Sequence, residues 1–317
     1  MPSYAAAFPT ARPDVCVVGA GAVGGALAQR LHARGYPVPA VLSRTLRHAE
    51  AVGRAVGARI ISDGERDLPP SARIVLLCVP DDAIGPVATR LAAVPHAWER
   101  TVVAHTSGAL PAARLRSLAE RGARILSFHP LQSLTRESPP EALDGVYVGL
   151  EGEPQAVAAG VELAVNLGMR YLVLTAEAKA RYHLAASMAS NYLVTLLSVV
   201  QQVLGSLDVD RATAMEVVQP LVRGTLDNLA RSFPEDALTG PIARGDLDTL
   251  RQHGLALRRY FPHLVPFYAA LAAETVPLAV RSSRLDPARA EEVLALLERM
   301  VTLPLPVAPG AEPAPQK

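Results

Sequence analysis

The sequence predicts an α/β N-terminal half built on a parallel sheet, followed by an all-α C-terminal half. Three observations predict it. Short apolar runs alternate with helical stretches as far as about Leu174, the rhythm of a sheet buried on both faces. The first run, Val15–Val18, leads directly into Gly19-Ala20-Gly21-Ala22-Val23-Gly24 and then a helix. Beyond Ala176 the apolar residues recur at helical spacing instead. The expected division is therefore 1–175 for the sheet domain and 176–306 for the helical domain. Residues 307–317 are expected to be a disordered tail, and Met1–Pro13 to be frayed.

In the first β–α unit the glycines carry distinct duties. Gly19 permits the turn, Gly21 leaves room for a pyrophosphate against the backbone, and Gly24 lets helix and strand approach closely. The helix start then offers free N–H groups and a positive dipole end to phosphates. Gly19 to Gly24, with Ala20, Ala22 and Val23 between them, are thus candidate dinucleotide ligands. The next strand, Val38–Leu42, ends in Ser43-Arg44-Thr45, with Arg47 close behind. An acidic residue there would bind the ribose hydroxyls of NAD. A hydroxyl and guanidinium groups favour a 2′-phosphate instead, so Ser43, Arg44 and Arg47 point to NADP.

Ala58–Ile61 is a short strand, and Ile74–Val79 a fully apolar one ending at Pro80-Asp81-Asp82. The aspartates are expected to cap the helix Ala83–Leu91. Val79 and Pro80, at the carboxyl end of a central strand, should pass beside the nicotinamide ribose. Thr101–Ala104 ends in His105-Thr106-Ser107, and Arg124–Phe128 in His129-Pro130-Leu131-Gln132. Two neighbouring strands that each finish in a histidine and polar groups mark a ligand edge. Val146–Leu150, Pro154–Leu167 and Arg170–Leu174 add one more strand–helix–strand unit.

Ala178–Leu204 contains neither glycine nor proline and is expected to be one long helix, with Leu184–Leu204 buried rather than membrane-spanning. Lys179, His183, Ser187 and Asn191 recur every four residues on one face. A polar stripe of this kind is costly to bury without partners. Lys179 is the more conspicuous because the only other lysine is Lys317. Met215–Leu229 is a second helix, with a break expected at Pro220. Arg223 and Arg244 are candidate anion binders, and Asp246 a helix cap. The helix Leu247–Leu257 follows, then short helices at Ala256–Tyr260, Pro262–Ala273 and Thr275–Arg281, and a last one at Ala288–Met300.

Composition narrows the function classes. The chain has 317 residues, half of them hydrophobic, and a net charge of +1. Its arginines are dispersed, so nothing points to nucleic acid. Cys16 and Cys78 are its two cysteines, expected to be reduced and buried in a cytoplasmic protein without a secretory signal. No Cys/His/Asp set has metal-ligand spacing. The apolar helices of the second half suggest a homodimer.

Several motifs together carry a family likeness: Val18–Gly24, Val79-Pro-Asp-Asp-Ala83, His105-Thr-Ser-Gly108, Phe128-His-Pro-Leu-Gln-Ser133, Lys179-Ala-Arg-Tyr-His183 with Ser190-Asn-Tyr192, Arg223-Gly-Thr-Leu226 and Thr239-Gly-Pro-Ile-Ala-Arg-Gly-Asp246. The chain resembles the bacterial Rossmann-like and DUF2520 domain-containing family, within the wider 6-phosphogluconate dehydrogenase-like and F420-dependent NADP reductase-like group. The resemblance implies an NADP-type nucleotide domain and a helical domain that supports dimerisation. β-Hydroxyacid dehydrogenases of that group carry a lysine on the long interdomain helix and an asparagine one turn later. Lys179 fits the lysine, whereas His183 occupies the following-turn position.

The combined expectation is hydride transfer between NADP(H) and a small carbonyl, imine or alcohol in an interdomain cleft. Lys179, His183, Asn191 and His129 would be catalytic. His105, Thr106 and Ser107 would contact the cofactor, and Gln132, Ser187, Arg223 and Arg244 the substrate. The alternatives are a non-catalytic NADP-binding or sensing protein and a reductase using F420 as co-substrate.

Overall fold

The computed structural model describes residues 12–302; the anticipated tail 307–317, and all of the anticipated tail Met1–Pro13 except Arg12 and Pro13, lie outside the described residues. The chain divides into two compact units at Ser198/Val199.

The first unit contains eight strands: β1 Val15–Val18, β2 Ala40–Leu42, β3 Ile60–Ser62, β4 Ile74–Leu77, β5 Val102–His105, β6 Arg124–Pro130, β7 Tyr147–Gly152 and β8 Arg170–Val173. They form one sheet in the order β3-β2-β1-β4-β5-β6-β7-β8. Neighbours are parallel except β6 and β7, which run antiparallel. Helices α1 Ala22–Ala33, α2 Leu46–Val56, α3 Asp81–Ala92, α4 Arg116–Ala119 and α5 Pro154–Asn166 cover it. The strands read as continuous apolar runs because each face has its own core. Val15 and Val17 of β1, with Ile74 and Leu76 of β4, join Leu27 and Leu31 of α1. Cys16 and Val18, with Val75 and Leu77, join Ile84, Val87 and Leu91 of α3. That alternation is the period of two that a strand imposes.

Both cysteines are free thiols. Cys78 lies just past β4, one step beyond the Val18–Leu77 pair, so it is not paired across the sheet with Cys16, whose partner is Val75. Neither aspartate caps α3 with its side chain: the N-cap is Pro80, and Asp81 serves another partner described below.

The long polar-striped helix is two helices, α6 Lys179–Ala189 and α7 Asn191–Gly205. Ser190 turns out of line at φ −113°, ψ −70°, while Ser190 N–H still donates to the Ala186 carbonyl and Val194 N–H to that of Ser190. The expected burial of Leu184–Leu204 is also overturned. Within the apolar stretch 176–205 no residue of the most hydropathic window is buried, and Leu184, Met188, Tyr192 and Val194 are exposed. Its apolar residues are distributed around the helix, so hydropathy alone could not show which neighbour would cover them.

The second unit holds α8 Arg211–Leu229, α9 Pro234–Ala237, α10 Leu247–Tyr260, α11 Val265–Arg281 and α12 Pro287–Thr302. Its core is the packing of α10, α11 and α12 around Leu250, Val276, Val293 and Leu297. Asp210 and Asp246 cap α8 and α10 by accepting backbone N–H bonds. Pro220 and Pro277 sit inside α8 and α11 without ending them, so the break at Pro220 and the separate helices at Pro262–Ala273 and Thr275–Arg281 do not occur. The latter two are largely the single helix α11.

Candidate active site

The glycine turn has the shape its spacing requires. Gly19 adopts φ +104°, and a Cβ there would lie 2.2 Å from the Cys78 carbonyl oxygen. A Cβ on Gly24 would lie 1.9 Å from the Gly19 carbonyl oxygen and 2.9 Å from the Cys78 Cβ, so α1 presses onto the strand ends. Gly21 meets nothing within 4 Å. It is also the N-cap of α1, and no side chain caps that helix. Its first N–H groups therefore face open space with the positive end of the helix dipole. Ala20 is buried, and Ala22 and Val23 are half-buried in the first turn. At the end of β2, Ser43 N–H donates to Ser62 O at 2.9 Å. Arg44 and Arg47 are exposed and have no ion-pair partner among the described residues. Val79 is half-buried and Pro80 exposed after β4.

Further along the same edge, register builds two rows. His105 of β5 pairs with Ser127 of β6, which pairs with Glu151 of β7. All three are buried, and direct cross-strand partners share a face. Two residues on, His129 stands opposite Gly149. Lys179, Tyr182 and His183 of α6 lie at i, i+3 and i+4, one face of that helix, and meet these rows. The Lys179 ammonium donates to the Ser107 carbonyl at 3.0 Å and to Ser127 Oγ. Tyr182 lies over Gly149, where a Cβ would come within 2.8 Å of its ring, and its hydroxyl is 3.1 Å from His129 Nδ1. The His129 and His183 rings meet edge to face at 5.9 Å. Both cover Gly108, where a Cβ would lie 2.4 Å from His183 Nδ1. That nitrogen is buried with no hydrogen-bond partner.

Beneath this layer Ser107 is a hub. Its Oγ donates to Asp81 at 2.9 Å and accepts from Ala109 N–H and Leu110 N–H. Glu151 accepts from Ala112 N–H at 2.6 Å.

Burial sets the protonation states. It lowers Lys179 from 10.5 to about 8, with Glu151 and Asp81 pulling it partly back. It lowers His129 to about 4, assisted by the charges of Lys179, His183 and His105. His105 also falls to about 4, chiefly by burial. The Tyr182 hydroxyl rises to about 12 for the same reason. Near neutrality the site thus holds one enclosed ammonium, a protonated phenol and two neutral imidazoles.

Several expected residues have other employment. His105 is wholly buried, with Nε2 near the Pro111 carbonyl and Nδ1 accepting from Ser107 N–H; it supports the loop and offers no free nitrogen to a cofactor. Ser107 is likewise buried and committed to Asp81. Thr106 N–H donates to Leu77 O at the sheet edge. Gln132 is exposed and donates to the Ala142 carbonyl of its own loop. Ser187 is half-buried and Asn191 exposed, because the stripe turns away from the sheet beyond His183. Arg223, on α8, and Arg244, before α10, belong to the second unit and are exposed. Arg244 lines a cavity of about 360 Å³ with Thr239, Gly240, Ala243 and Arg284.

Tyr182, Ser127, Glu151 and the hydrogen bond of Asp81 to Ser107 were not anticipated. Tyr182 stands within Lys179-Ala-Arg-Tyr-His183, where an i, i+3, i+4 reading would have found it.

No curated protein matches the chain in sequence. Among solved structures, a candidate NADP oxidoreductase of Bacteroides fragilis superposes with a TM-score of 0.71 at 20% identity, covering 84% of this chain and 98% of its own. A Thermotoga maritima protein gives 0.62 at 23% identity, covering 90% and 98%. The pyrroline-5-carboxylate reductase of Coxiella burnetii gives 0.55 at 14% identity, covering 92% and 100%. At these identities the likeness is one of fold. Residues 1–130 match the Rossmann-like domain and residues 146–275 match DUF2520, a domain of unknown function. The chain is therefore a member of the Rossmann-like and DUF2520 domain-containing proteins.

Proposed function

We propose that the protein is an oxidoreductase that moves hydride between a nicotinamide dinucleotide, NADP in preference to NAD, and a small carbonyl, imine or alcohol. The observation that carries this reading is the open, uncapped glycine turn on the same sheet edge as the Lys179–Tyr182–His183 face. Gly19 to Gly24 would hold the pyrophosphate, and Ser43, Arg44 and Arg47 the adenosine ribose and its 2′-phosphate. Val79, Pro80 and Thr106 would flank the nicotinamide ribose. The cofactor, when bound, supplies the hydride chemistry.

The chain's own residues manage charge and position. Lys179 holds the end of β5 against β6 and places a positive charge beneath the reacting centre, where it favours developing negative charge. Tyr182 and His183 are the polar groups above it, with His129 orienting the Tyr182 hydroxyl. Arg223 and Arg244 are read as anion binders of the second unit.

A homodimer is part of the proposal. Apolar side chains on α6, α7 and α8 are uncovered, including Leu221 at 72% exposure. Ser187, Ser190, Asn191, Gln201 and Gln202 interrupt the apolar stretch, which disfavours lipid and favours a second copy as the cover.

The test is titration calorimetry of the full chain with NADPH and NADH, followed by NADPH oxidation against carbonyls and imines. The expected result is tighter NADPH binding and turnover of at least one class. Failure to bind either dinucleotide refutes the proposal. NADPH binding without turnover leaves the binding-protein alternative in its place.

A further inference from the structure

Beside the glycine turn lies a cavity with two basic side chains that belong neither to the fingerprint nor to the end of β2. A cavity of about 150 Å³ opens between α1 and α2, lined by Ala20, Gly21, Gly25 and Gln29 on one side and His48, Ala51 and Val52 on the other. Its remaining wall is Arg136, from the loop between β6 and β7, which reaches across 88 residues of sequence to bring Nη1 within 2.5 Å of His48 Nε2. No carboxylate lines the cavity. Two nitrogen groups that both carry positive charge when protonated thus converge without an anion. His48 is correspondingly held below its ordinary value, by desolvation and by the charges of Arg136 and Arg47. With His48 neutral, Arg136 N–H donates to its Nε2; the doubly protonated pair is unfavourable until a negative group joins it.

We propose that Arg136 and His48 form a clamp for the 2′-phosphate of the bound nucleotide, the loop between β6 and β7 closing onto the ribose end of the cofactor. This rests on the cofactor reading above and adds Arg136 and His48 to Ser43, Arg44 and Arg47 as the residues that discriminate NADP from NAD. The 2′-phosphate is favoured over the pyrophosphate for two reasons. The N–H groups that open α1 have no side-chain cap and are free to serve the pyrophosphate. His48, by contrast, stands in the first turn of α2, directly after Ser43, Arg44 and Arg47. A planar guanidinium offers two parallel donors to a phosphate, and a neutral imidazole drawn away from Arg136 can take up a proton and donate as well.

The experiment is calorimetry of the full chain with NADP, NAD, 2′,5′-ADP and ADP, using wild type, Arg136→Ala and Arg136→Lys. Arg136 is exposed on its loop, so unchanged melting temperatures are expected and serve as the control for folding. The expected result is a loss of about tenfold or more in affinity for NADP and 2′,5′-ADP in Arg136→Ala. NAD and ADP should be unaffected, and Arg136→Lys should recover part of the loss. Equal weakening of ADP and 2′,5′-ADP overturns the assignment in favour of a pyrophosphate contact. Unchanged NADP affinity in Arg136→Ala overturns it outright. A wild type that binds neither dinucleotide overturns the cofactor reading and the clamp with it.

Discussion

Replacing Lys179 by methionine should change how stability depends on pH, by an amount the structure sets. The ammonium is fully enclosed, and burial lowers its pKa to about 8 from 10.5. A base whose folded pKa is depressed binds more protons when unfolded, so its contribution to stability rises with pH. Below about pH 8 the group is charged in both states and the penalty is constant. Between about pH 8 and 10.5 the folded state no longer carries the charge while the unfolded state still does. The slope near pH 9 is about 1.2 kcal/mol per pH unit, and the total gain from pH 7 to 10 is about 2.5 kcal/mol.

Other groups tilt the raw curve the opposite way. Burial raises the thiols of Cys16 and Cys78, the latter to about 12, and the Tyr182 hydroxyl to about 12. Each therefore costs stability as pH passes its unfolded value. The difference between wild type and Lys179→Met cancels them. Methionine keeps the stem packed, and Ser127 Oγ can still donate to the Ser107 carbonyl at 3.3 Å, so the variant should fold. Urea denaturation from pH 7 to 10 should show wild type gaining about 2.5 kcal/mol relative to the variant. A flat difference would show that Lys179 titrates normally, and the account of the site would fail.

The glycine turn predicts a contrast between neighbours. Gly21→Ala should leave the melting temperature unchanged yet weaken NADPH binding, whereas Gly24→Ala, whose Cβ would overlap the Gly19 carbonyl, should destabilise the fold itself; the reverse pattern in thermal shift and calorimetry contradicts the geometry. Gly108→Ala would drive a methyl into His183 and His129, so a loss of about 1–3 kcal/mol in urea stability with loss of turnover is expected. Ser107→Ala strips the acceptor from two backbone N–H groups and the hydroxyl donor from Asp81, which should cost about 1–3 kcal/mol; an unchanged unfolding midpoint would argue against the hub. Leu221→Glu should convert a dimer to a monomer in light scattering after size exclusion, and a monomeric wild type would end the dimer proposal.

The sheet was legible because most of its strands are short, apolar and followed by a helix. Val15–Val18 and Ile74–Leu77 carry two cores in alternation, which only a doubly covered strand needs. The glycine turn was legible because its requirements are steric and local. What escaped was whatever register or tertiary contact decides. Ser127 and Glu151 look like incidental strand residues until β6 and β7 pair antiparallel and set them beside His105. Asp81 reads as a cap because it begins a helix, and only the placement of Ser107 shows otherwise. The pattern reads as separate helices at Pro262–Ala273 and Thr275–Arg281, yet α11 runs on through Glu274 and through Pro277, with packing against α10 and α12 outweighing the local cost of a missing N–H.

The enclosure of Lys179 changes what that residue can do. A four-residue stripe suggested a lysine open to a cleft, but its ammonium is tied to the Ser107 carbonyl and Ser127 Oγ. With a pKa of about 8 it still carries charge at neutral pH, and that charge helps keep His129 and His105 neutral. A neutral His129 can share a hydrogen bond with the Tyr182 hydroxyl without competing as an acid. Among the described residues, the one buried polar side-chain atom on this face without a partner is His183 Nδ1, one turn beyond Lys179 and directly over Gly108. The pairing that distinguishes this chain from the lysine–asparagine arrangement is therefore also the point at which its site is chemically unsatisfied. On this geometry, His183 and Tyr182 are the polar groups that the face presents, with the buried charge of Lys179 behind them.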